Sequence, residues 1–249
     1  NTRMTEDEQR VAIAEALGRA GAVLCLGADD EAAAAQIVAE LHEKHILAEG
    51  WAIAPDSVEG ASQLVSEAQA RFDHLDVWVN TPVLTPSTAA ESLRLDDFVR
   101  ALNVNLDAIF FGCQAAARFM FAQKPRGGVI INVTSAAGVV AVAGHAAFCA
   151  AMAGVTAATK TLAVEWGAEG VRVVGLGAGL TPEMASALSV QPRLPDGAQE
   201  AHRRLPPMAL ASSDGLGEAA VYLASDAAKH VNGMTLYVDG GWLADGYWE

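Results

Sequence analysis

Residues 128–135 read GVIINVTS, an apolar run of strand length flanked by Gly127 and the small stretch AAG at 136–138. Its apolar residues do not alternate with polar ones, which is the pattern of a strand buried on both faces. Similar runs occur at 20–27 (AGAVLCLG), 50–55 (GWAIAP), 75–80 (LDVWVN), 171–178 (VRVVGLGA) and 234–240 (MTLYVDG). Between them, helical periodicity covers 6–19, 29–44, 58–72, 95–122, 145–167 and 214–227. Strand, helix, strand at this spacing predicts an α/β fold, a parallel sheet with helices on both faces. No break in composition marks a second domain, so 1–249 reads as one. The proline-rich stretch 180–210 reads as an irregular surface loop or lid.

Composition narrows the function classes. The chain is 52% hydrophobic, yet no uncharged apolar run is long enough to span a membrane. The opening NTRMTEDEQR is polar and acidic, unlike a signal peptide, so a cytoplasmic protein is expected. A net charge of −14 argues against nucleic acid and anionic membranes as partners, because phosphates reward clustered Lys and Arg. Cys25, Cys113 and Cys149 stand far apart in apolar contexts and read as reduced core thiols. The six histidines form no ligand pair, and no metal site is expected.

From residue 75 onward a series of motifs follows in order. LDVWVN precedes NVNLDAIF, GGVIINVTSAAG, the helix HAAFCAAMAGVTAATK (145–160), LAVEWGAEGVRV and VNGMTLYVDGGW. This order is similar to that of the short-chain dehydrogenase/reductase family. The resemblance implies a single Rossmann-like, doubly wound parallel sheet, with the first strand truncated or absent. It also implies an Asn, Ser, Tyr, Lys catalytic set. Asn105 and Ser135 match that set, and Ser135 precedes residue 148 by the family's usual 13 positions. Phe148, however, replaces the Tyr and Met152 the Lys. A benzyl ring donates no proton, and a thioether carries neither charge nor donor.

The family's cofactor positions depart as well. The resemblance sets TRMTEDEQ (2–9) on the phosphate-binding loop, with Arg3, Asp7 and Gln9 at its glycine positions and only Thr2 matching. Thr5 followed by Glu8 is instead a capping-box pattern, with Glu6 and Asp7 in the first turn. Asn80 is retained, but Thr81-Pro82-Val83 follow it where the family has Asn-Ala-Gly. Ala54 stands at the adenine-contacting position, with Asp56 two places late. Ala28 holds the ribose-selecting position, with Asp29 adjacent, and Ala178-Gly179 replace a Pro-Gly.

These losses lead to the expectation of a non-catalytic subunit that binds no cofactor itself. NAD would then sit on a catalytically active paralogue in a heterotetramer, of the kind that oxidises a hydroxyacyl-CoA such as 2-[hydroxy(phenyl)methyl]succinyl-CoA in anaerobic toluene degradation. Helix 145–167 is dense in small residues, as an interface helix is, and the aromatic tail 242–249 is expected to pack on a partner. Two other readings stand beside this one. The chain is an active oxidoreductase whose proton moves through Ser135, His145 or water, or it is a regulatory protein that binds another small ligand.

Overall fold

The computed structural model describes residues 6–54, 57–81, 84–179 and 213–244. Among the described residues the strands are β1 (Leu24–Ala28), β2 (Ala48–Ala52), β3 (Val77–Asn80), β4 (Gly128–Ser135), β5 (Val171–Ala178) and β6 (Thr235–Val238). The helices are α1 (Glu6–Arg19), α2 (Glu31–Glu43), α3 (Val58–Phe72), α4 (Leu95–Leu102), α5 (Ala108–Ala122), α6 (Ala146–Trp166) and α7 (Ser213–Ala224). A π-helical turn, Asn103–Asp107, joins α4 to α5. The predicted α/β architecture is the one observed, and its first described element is α1.

Local chemistry sets the helix boundaries. Asp30 caps α2 by accepting the Ala33 amide at 2.8 Å, and Ser57 caps α3 through Gly60 at 2.9 Å. Asp73, at φ 56°, ends α3 in the left-handed conformation that stops a helix. Strands β4 and β5 form the centre, paired in parallel from Gly128 opposite Val171 to Ser135 opposite Ala178. All but two of their sixteen residues are buried, which is why neither run alternates.

The strands form two hydrogen-bonded groups rather than one. β1 pairs with β2, while β3, β4, β5 and β6 pair in that order, all parallel. Two apolar clusters cover the faces. One joins α1, α2 and α7 through Ile13, Leu17, Leu41, Leu216 and Leu223. The other joins α3, α5 and α6 through Leu64, Val65, Met120, Phe148 and Val155. Helices on both faces confirm the doubly wound arrangement. Asn232 ties the far end of α6 to the sheet: its Oδ1 accepts the Val173 amide at 2.8 Å, and its Nδ2 donates to the Ala163 carbonyl at 3.1 Å.

The segment 146–169, α6 and its terminal turn, is long and apolar enough to cross a bilayer by composition, with a mean hydropathy of 1.4. It lies against the sheet, however, with Ala147, Ala151, Val155, Leu162 and Ala163 buried. That makes it a core helix. The stretch 180–210 and residues 245–249 of the tail lie outside the described residues. Trp242, the first aromatic of the tail, packs on this chain's own core.

Candidate functional site

The site lies where β3 and β4 end and α6 begins. Parallel strands in an open α/β sheet present their carboxyl ends to a crevice, which makes that edge the natural place for a ligand. Ser135 is the last residue of β4 and is buried. Its Oγ accepts the Ala137 amide at 3.1 Å, which leaves the hydroxyl hydrogen available to another acceptor. The short turn Ala136–Gly138 then packs directly on α6. A Cβ on Gly138 would lie 2.8 Å from the Met152 carbonyl carbon, so only glycine permits this approach.

His145 stands at the entry of α6 and is also buried. Its Nδ1 lies 3.1 Å from the Ala143 carbonyl oxygen, which can only accept. Nδ1 therefore carries a hydrogen, and Nε2 has no partner among the described residues. Neutral, the ring can take a proton at Nε2; protonated, it can give one.

Phe148 and Met152 follow on the next turns of α6, each 2% exposed, within the cluster that includes Ala137 and Val142. The Met152 carbonyl accepts hydroxyl hydrogens from Thr134 at 3.3 Å and Thr156 at 3.0 Å. The two positions expected for a phenol and an ammonium thus hold packed apolar side chains. Lys160, two turns further on, is exposed.

Asn105 lies in the π-helical turn, fully buried. Its Oδ1 accepts the Leu84 amide at 2.8 Å and its Nδ2 donates to the Leu84 carbonyl at 2.7 Å. Both ends of the carboxamide therefore hold the segment after β3 in place. Asn80 belongs to a buried chain of side chains that sequence reasoning missed. Trp78 Nε1 donates to Asn80 Oδ1 at 2.7 Å, and Asn80 Nδ2 donates to Asn132 Oδ1 at 2.8 Å. Asn132 Nδ2 donates in turn to Thr159 Oγ1 at 3.0 Å. The Cys113 thiol donates to Asn132 Oδ1 at 3.1 Å, and burial pushes its pKa up to about 12. The sequence marks these residues only as polar or thiol positions inside apolar runs.

At the far side of the site, Asp29 is exposed just beyond β1, while Asp30 is committed to its helix cap. Gln9 is buried within α1, and Asp7 also lies inside that helix, so neither stands in a loop. Arg3 and Asp56 fall outside the described residues, as do Pro82 and Val83. Arg10, one residue past Gln9, donates through Nε to the Thr81 carbonyl at 3.2 Å, reaching from α1 to the end of β3.

A family model described as Enoyl-(Acyl carrier protein) reductase matches residues 11–243. D-threitol dehydrogenase of Mycolicibacterium smegmatis (strain ATCC 700084 / mc(2)155) is 36% identical over 187 residues, covering 75% of this chain and 68% of the relative. The 3-oxoacyl-[acyl-carrier-protein] reductase of Synechocystis sp. (strain ATCC 27184 / PCC 6803 / Kazusa) is 31% identical over 220 residues, covering 86% of this chain and 83% of the relative. Among solved structures, a gluconate 5-dehydrogenase from Burkholderia cenocepacia J2315 in complex with NADP and tartrate superposes with a TM-score of 0.83. It is 27% identical, and the match covers 95% of this chain and 91% of that one.

Two expectations are corrected by these likenesses. The chain was expected to be no enzyme on its own, but its relatives are named dehydrogenases and reductases. It was also expected to bind no cofactor, with NAD only on a partner, but the superposed structure holds NADP in the same fold. The cofactor correction rests on the shared backbone fold, and the correction on activity has its reason in the side chains at the strand ends. The replacements at Phe148 and Met152 remove one proton route, whereas Ser135 and His145 keep proton-bearing groups at the same edge of the sheet.

Proposed function

The chain belongs to the short-chain dehydrogenase/reductase family, and from that premise we propose that it is a nicotinamide-dependent oxidoreductase interconverting a secondary alcohol and its ketone, with His145 moving the proton. The observation that carries this reading is the buried His145 ring, fixed through Nδ1 and with no partner for Nε2 among the described residues. A bound nicotinamide would supply the hydride acceptor in oxidation and the donor in reduction. In oxidation, the hydroxyl proton passes to His145 Nε2 as hydride leaves the carbinol carbon; reduction reverses both. Ser135 supplies the hydroxyl that orients the substrate oxygen, because the Ala137 amide already occupies one of its lone pairs.

Asp29 is the residue suited to the cofactor's ribose, since a carboxylate accepts from hydroxyls and repels a 2′-phosphate. NAD is therefore the preferred form. The acidic sequence at 6–8 does not favour a pyrophosphate, so recognition falls to the ribose end. A hydroxyacyl thioester is the substrate class supported by the likeness to an acyl-carrier-protein reductase.

The purified chain, assayed with NAD and hydroxyacyl-CoA substrates, should turn over. The substitution His145→Asn, which keeps a donor for Ala143 while removing Nε2, should lower kcat/KM by roughly 10²-fold or more and abolish one limb of its pH profile. An unchanged pH profile in an active variant defeats the assignment of His145. Absence of NAD and NADP binding in a fluorescence titration defeats the whole reading.

Association with a paralogue is a further part of this proposal. Leu95 and Val99 of α4, Phe111 of α5 and Val164 of α6 are exposed, with Val164 84% accessible. Ala146, Ala150, Ala153 and Ala157 are exposed on α6 as well, and small side chains allow a second helix to approach closely.

A further inference from the structure

One outer edge of β2 carries no strand, since β2 pairs only with β1. The Leu24 amide donates to the Leu47 carbonyl at 2.9 Å. Residues along a parallel strand take turns in facing a neighbour, so Leu47, Glu49 and Trp51 turn to β1. Ala48, Gly50 and Ala52 therefore turn their N–H and C=O groups outward. His42 of α2 reaches the Ala48 carbonyl, 3.1 Å from its Nε2. The outward groups of Gly50 and Ala52 have no partner among the described residues. Natural edge strands are commonly blunted by lysine, proline or a bulge. β2 reads AEGWA, and its one charge, Glu49, is ion-paired with Arg71 of α3 at 2.7 Å.

A groove of about 380 Å³ runs beside this edge. Glu31, Ala35 and Val38 of α2 form one wall, and Gly50 and Ala52 the other. Among the described residues, neither α1 nor β1 lines it, so it opens on the outer side of β2. Gly50 lets α2 lie close over the strand, because a Cβ there would be 2.9 Å from Val38 Cγ2 and 3.2 Å from the Ala34 carbonyl oxygen. Along α2, Glu31, Ala35, Val38 and His42 follow at helical spacing and form one stripe above the edge.

The stripe is complementary to its own reverse. A two-fold axis normal to the sheet lays a second copy of β2 antiparallel to the first, with Gly50 opposite its own copy and Ala48 opposite Ala52. Both copies of α2 then lie antiparallel on the same face. Because Gly50 lies against Ala34 and Val38, the axis passes beside the middle of α2. Reversal about that point sets Ala35 against Val38, small against branched, and Glu31 against His42 rather than against another carboxylate. We propose that β2 and α2 form a two-fold interface between copies of this chain, which joins their sheets edge to edge. Gly50 exchanges both backbone bonds with its copy, and Ala52 with Ala48, whose carbonyl keeps a second lone pair beside His42. The interface is independent of the proposed activity and of the exposed surface on α4, α5 and α6.

Hydrogen exchange at single-amide resolution, followed over about a hundredfold range of protein concentration, tests it. The Gly50 and Ala52 amides should slow by about 10-fold or more as concentration rises. Ala35→Arg, at an exposed position, should abolish that slowing and halve the assembly seen by native mass spectrometry. If the pair is too tight to separate over the range, the two amides are slow throughout and Ala35→Arg should speed them. Ala52→Pro removes an outward N–H without touching the ladder to β1 and should act in the same way. Leu95→Glu combined with Val164→Glu should leave the slowing intact. Exchange at Gly50 and Ala52 that is independent of concentration and unchanged by Ala35→Arg overturns the proposal. Slowing that disappears in the Leu95→Glu, Val164→Glu chain overturns it too.

Discussion

Cys113 shows how a single side chain can be read from sequence and still surprise. Its apolar neighbours mark it as a core thiol, and it is fully buried. What they do not show is that its sulfur sits between Asn80 and Asn132, within 3.3 Å and 3.1 Å of their amides. Desolvation raises its pKa to about 12, so the folded state favours the protonated thiol. The stability this contributes is fully present below the unfolded thiol's value and lost as pH rises through the folded one. Urea midpoints should therefore fall between roughly pH 9 and pH 12 in the native protein, and Cys113→Ser should flatten that part of the profile. Alkylation of the native chain at pH 8 should spare Cys113. The amide chain around it was illegible because Trp78, Asn80, Asn132 and Thr159 come from three elements whose registers only the fold brings together.

At the level of elements, periodicity was a good guide. The helices at 6–19 and 58–72 and the strands at 128–135 and 171–178 lie where the pattern puts them, because long buried runs and capped amphipathic helices leave clear marks. The segment 95–122 read as one helix but contains the π-helical turn around Asn105, a change of winding without a composition signal. Of the proposed site, the sequence offers Ser135 and His145 only as an alternative proton route, and the hydrogen bond that sets the His145 tautomer depends on the path of the loop before α6. Helix α6 also restricts what positions 148 and 152 can hold. Met152 packs against the turn at Gly138 with 2% of its surface exposed. Met152→Lys leaves a buried charge without a partner and should destabilise the chain by about 3–5 kcal/mol. Met152→Leu, which nearly conserves volume, should cost less than about 1.5 kcal/mol. Chemical denaturation of the two variants separates the outcomes.

For the whole molecule, the exposed apolar residues of α4, α5 and α6 are the surface on which the proposed association rests. Leu95 is 74% accessible and Val164 84%, an unusual exposure for aliphatic side chains on packed helices. Replacing Val164 and Leu95 with Glu should shift the native mass spectrum towards monomer while leaving the thermal midpoint within a few degrees, because neither side chain supports the core. A variant that retains its oligomeric state would place the contact elsewhere. Asn232 bears on the whole molecule in another way. It is followed by Gly233, a pairing in which a mobile carboxamide readily cyclises onto the next backbone nitrogen and loses ammonia. Here its oxygen is held by Val173 and its nitrogen by Ala163, so the folded state withholds the conformer that cyclisation requires. Chemical ageing at this position thus becomes a clock for how long α6 and β5 have spent apart.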